Sequence, residues 1–251
     1  MAAPTVALEL YTVRNELERD FAGTLRRVAA MGYSAVEGGH YRTVETGEMK
    51  ALLDETGLQM PAVLFGLPAL EADLDAEIDY CRAIGSSYLV LSWVHPAQLA
   101  GDVLPALARH LNEFGRRCRE RGLVFGYHNH DHEFAQRDGA YLLDHLLDAT
   151  DPALMVLELD VYWAAYAGAD PAAYLRRRSG RVPLLHLKDM AADRSFADVG
   201  DGTLDLPGIF VAAEDGGARW YVVENDRPRM PSLERARRSV EEPARHGQGV
   251  S

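Results

Sequence analysis

Met155-Val156-Leu157-Glu158-Leu159-Asp160 reads as a buried β-strand, an apolar run that stops at two carboxylates. Three other runs stop in the same way. Tyr127-His128-Asn129-His130-Asp131-His132-Glu133-Phe134 leaves one strand, His186-Leu187-Lys188-Asp189 ends another, and Glu224-Asn225-Asp226 ends a third. Carboxylate oxygen and neutral imidazole are the ligand set of a hard or borderline divalent cation. Four such strand ends in series predict a metal-centred enzyme site where the strands converge.

Outward from these runs, apolar strands alternate with amphipathic helices along the whole chain. Strands are predicted at Val6–Thr12, Ser34–Gly38, Gln59–Leu64, Tyr88–Trp93, Leu123–His128, Met155–Asp160, Pro183–Lys188 and Arg219–Glu224. Leu89-Val90-Leu91 and Tyr221-Val222-Val223 are apolar throughout, as in parallel strands covered on both faces. Leu104, Leu107, Leu111, Phe114 and Cys118 share one helical stripe, and Phe21, Leu25 and Val28 another. Gly32, Gly57 and Gly122 stand where helices end. Eight βα units at about 30-residue spacing predict one α/β domain over residues 1–251, a (β/α)8 TIM barrel, with a tail frayed after about 242. A doubly wound open sheet is disfavoured, since Val13-Arg14-Asn15-Glu16 follows the first strand in place of a glycine-rich turn. No phosphate loop occurs either, which favours an unphosphorylated substrate.

Composition narrows the function. Hydrophobic residues make up 47 % of the 251, enough for a continuous core. No apolar run approaches the roughly 20 residues of a membrane span, and Met1 to Thr5 lacks the sections of a signal peptide. Cys81 and Cys118 both fall in predicted helices, so no disulfide framework is expected and a reducing cytoplasm fits. Acids outnumber bases 38 to 26, a net charge of −12, which opposes nucleic-acid binding. The basic run Arg176-Arg177-Arg178 with Arg181 closes a helix, where cations complement the dipole.

In a barrel, alternate residues face the interior and the C-terminal strand ends form the active site. Glu158 and Asp160, His186 and Lys188, and Glu224 and Asp226 are each two apart and share a face. A carboxylate buried unpaired after the apolar run to Glu224 would cost several kcal/mol, which a cation relieves. His128, His130 and His132 belong to a loop leaving its strand, and at least one of them is expected at the surface.

The Tyr-His-Asn-His run, Glu158-Leu159-Asp160-x-Tyr162-Trp163, His186-Leu187-Lys188-Asp189 and Val199-Gly200-x-Gly202 resemble the xylose-isomerase-like sugar phosphate isomerase/epimerase superfamily, over nearly the whole chain. That resemblance implies a metal held by Glu, Asp, His and Glu from four late strands. Asp160, His186 and Glu224 match the last three. The fifth strand ends in His128 instead of the first Glu, so Glu133 is the expected ligand, with His128 or Glu158 as substitute. The ion is expected to be manganese, with magnesium, cobalt or zinc as alternatives.

The implied activity is a carbohydrate isomerase or epimerase that removes a proton beside a carbonyl. Glu133 and Glu224, aided by His130, would carry the catalysis, while His128, Lys188 and Trp163 would contact a carbohydrate, cyclitol or glycoside. Tyr11, Trp93 and Tyr162 are further candidate walls. The alternative is a lyase of the same superfamily, an inosose dehydratase or a C-glycoside deglycosidase acting on a 3-oxo-glycoside, for which the extra imidazoles would serve as leaving-group acids. A DNA-repair endonuclease and a non-catalytic sugar-binding barrel stand further back. Association into a homo-oligomer stays open.

Overall fold

Eight parallel strands close into a barrel in a computed structural model that describes residues 4–227 and 232–245. They are β1 (Thr5–Glu9), β2 (Ala35–Gly39), β3 (Ala62–Gly66), β4 (Tyr88–Trp93), β5 (Val124–His128), β6 (Met155–Asp160), β7 (Leu184–Leu187) and β8 (Trp220–Val223). Each pairs with its sequence neighbours, and β8 closes on β1 with Val6 opposite Tyr221 and Leu8 opposite Val223. The apolar centres of the strands are buried, as expected for a parallel sheet covered by helices. The expected strand limits hold for β4 and β6. The first strand is shorter than expected, because Leu10–Val13 winds into a 3-10 turn.

The helical stripe Leu104, Leu107, Leu111, Phe114 and Cys118 is buried along the helix Leu104–Glu120. Gly32, Gly57 and Gly122 take φ of 98°, 70° and 80°, the left-handed conformation that a side chain disfavours. The expected frayed tail begins inside the helix Ser232–Arg245, and residues 246–251 lie outside the described residues. No helix among the described residues is long and apolar enough to cross a membrane.

The basic run is used internally. Arg177 and Arg178 pair with Asp144, a buried acid on the helix Leu142–Asp148, at 2.9 and 2.6 Å. Arg181 donates to the carbonyls of Leu147 and Thr150, which end that helix.

Two short ribbons stand beyond the strand ends. Gln136–Arg137 pairs with Ala140–Tyr141 after β5, and Asp189–Met190 pairs with Phe196–Ala197 after β7. The second loop is organised by Asp189, whose carboxylate accepts backbone N–H bonds from Met190, Gly200, Gly202 and Leu204. The Val199-Gly200-x-Gly202 motif therefore wraps a buried acid, and a Cβ on Gly202 would lie 2.1 Å from Asp189 Oδ1.

Candidate metal centre

Asp160 shows how local structure aims a candidate ligand. It caps the short helix Val161–Tyr166, with Oδ1 accepting the Trp163 N–H at 3.0 Å, while its own N–H donates to buried Asn129. Its other oxygen, Oδ2, is buried and makes no hydrogen bond. Asp160, His186 and Glu224 can each offer a ligand atom within 4.8 Å of the others.

Two imidazoles stand here, His186 within this group and His128 beside it, each backed by a carboxylate. His128 Nδ1 lies 3.2 Å from Glu158 Oε2, and its Nε2 lies 3.8 Å from Asp160 Oδ2. His186 Nε2 lies 2.6 Å from Glu37 Oε1, and its Nδ1 lies 2.8 Å from Glu224 Oε2. A carboxylate behind one ring nitrogen holds the proton there and leaves the opposite lone pair for a metal.

The Lys188 ammonium sits 3.1 Å from Asp160 Oδ2, 2.8 Å from Glu224 and 3.1 Å from Asp226. The first of these pairs is close enough for charge attraction without the alignment of a hydrogen bond. Lys188 thus partners Asp160, while Asp189 is committed to its loop.

Burial and neighbouring carboxylates act together on several of the acids here and against each other on His186. Burial pushes the Glu9, Glu158 and Asp160 carboxyls above the usual range, and Glu37 raises the first two further. Burial and Glu224 together push Asp226 up to about 8. Burial pulls His186 down, but the Glu158 and Glu37 carboxylates outweigh it and hold the ring well above its ordinary value. Burial takes His130 down to about 3, a neutral imidazole.

The residues present fit a divalent cation. Glu9 Oε2, Glu37 Oε2, Glu158 Oε1 and Asp160 Oδ2 are all buried without a hydrogen-bond partner. Such groups are rare in folded proteins because desolvating them is costly. Among the described residues, buried Glu9, Glu37, Glu158, Asp160 and Glu224 outnumber the one buried ammonium, Lys188. The donors are oxygen and imidazole nitrogen, suited to manganese, magnesium, cobalt or zinc.

Glu133 is not brought into this group. A 3-10 turn over His132–Phe134 folds it back beneath the end of β5. There Oε1 accepts the Tyr127 hydroxyl at 2.7 Å and Oε2 accepts the His130 N–H at 2.8 Å. Its oxygens are occupied in bracing the loop. Glu9 and Glu37 are not among the expected site residues, although Glu9 closes an apolar strand and Glu37 follows the apolar start of another, a signal like the one that marks Glu158.

A cavity of about 630 Å³ opens above the cluster, lined by His128, His130, Trp163, His186, Lys188 and Glu224 among others. His130 Nδ1 is buried without a hydrogen-bond partner. Tyr11 and Trp93 line the wall as expected. Tyr162 is turned away, its hydroxyl donating to the Arg194 carbonyl.

The profile of the xylose isomerase-like TIM barrel family matches residues 25–246. An inosose dehydratase of Clostridium beijerinckii is 25 % identical over 250 residues, covering 84 % of this chain and 83 % of its own length. A sugar phosphate isomerase/epimerase from Parabacteroides distasonis superposes with a TM-score of 0.81 at 24 % identity, over 96 % of this chain and 93 % of its own. The IOLI protein with a bound zinc atom superposes with a TM-score of 0.73 at 12 % identity, over 96 % and 97 %. The two structural likenesses speak for the fold alone. With the profile spanning most of the closed barrel, the chain belongs to the xylose isomerase-like TIM barrel family.

Proposed function

We propose that the protein is a metal-dependent lyase that eliminates water from a cyclic polyol ketone of the inosose kind. The observation that carries this reading is the floor of the cavity, where unpartnered carboxylate oxygens and two carboxylate-backed imidazoles converge beside a free imidazole. His128, Asp160, His186 and Glu224 would hold the ion, His128 taking the place expected for Glu133. When bound, a divalent ion polarises a ketone and stabilises negative charge on its oxygen.

The chain's own groups supply the rest. His130 takes the proton from the carbon next to the ketone, its neutral ring having no competing partner. The C–H electrons form a C=C bond as the β-hydroxyl leaves, and the imidazolium returns its proton to that hydroxyl, so water departs. Lys188 orients a substrate oxygen, and Trp163 covers one face of the ring.

Isomerisation and epimerisation begin with the same proton removal. Elimination is preferred because curated relatives matching more than four-fifths of this chain are inosose dehydratases. The test is incubation of the manganese-loaded protein with an inosose in deuterated water. Loss of water with an ultraviolet-absorbing unsaturated ketone is expected. Deuterium entry at carbon without loss of water would replace this reading with epimerisation.

A further inference from the structure

A second cavity of about 440 Å³ adjoins the first, and Trp163, Phe196 and Arg227 line both. Its remaining walls include the rings of Tyr162 and Tyr166 and the side chain of Arg194. Tyr162 stacks on Phe196 at 4.3 Å between centroids, and Trp163 meets Tyr166 edge-on at 5.5 Å. The Arg194 guanidinium lies 4.5 Å over the Tyr166 ring and donates to the Tyr166 carbonyl. In a chain of net charge −12, no acidic side chain lines this cavity among the described residues. It contrasts with the acid-rich floor next to it.

A six-membered polyol ketone has about a dozen heavy atoms and fits within a single cavity of this size. The second cavity is surplus to such a substrate. Its lining also limits what enters. Sugar hydroxyls need acceptors for their protons, and beyond the hydroxyls of Ser195 and the two tyrosines the side chains of the walls offer ring faces and guanidinium donors. An aromatic ring bearing acceptor oxygens satisfies both.

We propose that the natural substrate is an aryl ether of a polyol ketone, with the aryl group, bearing acceptor oxygens, seated between Tyr166, Phe196, Arg194 and Arg227. The inference rests on the elimination described above, with an aryl oxygen leaving in place of hydroxide. The proton leaves the carbon beside the ketone, its electrons form the C=C bond, the bond from the β-carbon to the aryl oxygen breaks, and the proton passes to that oxygen. A phenol is released.

Unreactive probes test the cavity. Methyl β-D-glucopyranoside, methyl β-cellobioside and 4-carboxyphenyl β-D-glucopyranoside are titrated by calorimetry against the metal-loaded protein. The carboxyphenyl glucoside is expected to bind at least tenfold more tightly than the methyl glucoside. Tyr166→Ala and Arg194→Asn should each cut that ratio at least threefold; asparagine tolerates the positive φ of 66° at position 194. Equal binding of methyl and aryl glucosides, tighter binding of the cellobioside, or a ratio unchanged in both variants would overturn the proposal. None of the probes carries a ketone, so this result is independent of the inosose incubation, where failure of the elimination itself would show.

Discussion

Asp189→Asn should loosen the loop that carries Phe196 to the cavity. Asp189 Oδ1 accepts Met190 N–H at 2.7 Å and Leu204 N–H at 3.2 Å, while Oδ2 accepts Gly200 N–H at 3.1 Å and Gly202 N–H at 3.0 Å. Asparagine is the same size but has one oxygen. Whichever way its amide turns, the NH2 group confronts two backbone donors. Two hydrogen bonds to a charged acceptor are lost, at roughly 1.5–3 kcal/mol each. Gly200 is exposed and can turn its N–H to water, so the net cost is about 2–4 kcal/mol.

Urea unfolding reads that cost if the loop opens only with the whole barrel. Amide exchange over residues 190–204 reads it if the loop opens alone, when protection there should fall by at least tenfold. Gly202→Ala forces a methyl against the same carboxylate and should reproduce the effect. Unchanged loop protection in Asp189→Asn, with unfolding free energy within about 0.5 kcal/mol of the parent, would refute the reasoning, since that is the range of an inert surface substitution.

Gly115→Ala should destabilise the protein by about 1–3 kcal/mol despite the better helix propensity of alanine, because the new Cβ would lie 2.2 Å from the Leu154 carbonyl oxygen. Gly47→Ala, with nothing within 4 Å of its Cβ, should instead add about 0.4–1 kcal/mol; urea midpoints of the pair decide the sign. His128→Ala should weaken metal binding by about 10–100-fold in a chelator competition, whereas Glu133→Gln should keep the metal and lose about 1–3 kcal/mol of stability. The opposite pattern would return the ligand role to Glu133.

The barrel is legible because the strands are apolar runs buried on both faces, several of them preceded by a helix-ending glycine such as Gly32, Gly57 or Gly122. That signal fails at Leu10-Tyr11-Thr12-Val13, where an apolar run can extend a strand or wind into a 3-10 turn, and the structure winds it. Asp160, His186 and Glu224 are legible for a related reason. A polar group closing an apolar strand has its direction set by the strand. Glu133 has no such constraint. Its direction depends on the turn at His132–Phe134 and on the hydroxyl of Tyr127, which only the folded loop brings to it.

Glu9 and Glu37 show what spacing within one strand leaves out. Glu9 closes β1 and Glu37 sits at the centre of β2 before Gly38 and Gly39, so neither belongs to a pair of polar groups two residues apart like those of the late strands. Glu37 reaches His186 across 149 residues of chain, a contact that exists because β8 closes on β1 and brings the first strands beside the last. An open sheet would leave Glu37 near an edge, free to face water, and His186 without its backing carboxylate. Closure therefore does more than gather the candidate ligands. It removes water from carboxylates that one buried ammonium cannot neutralise, and so makes a bound cation or retained protons a condition of the folded barrel. The same closure that fixes the fold creates the demand that a cation at the proposed site would meet.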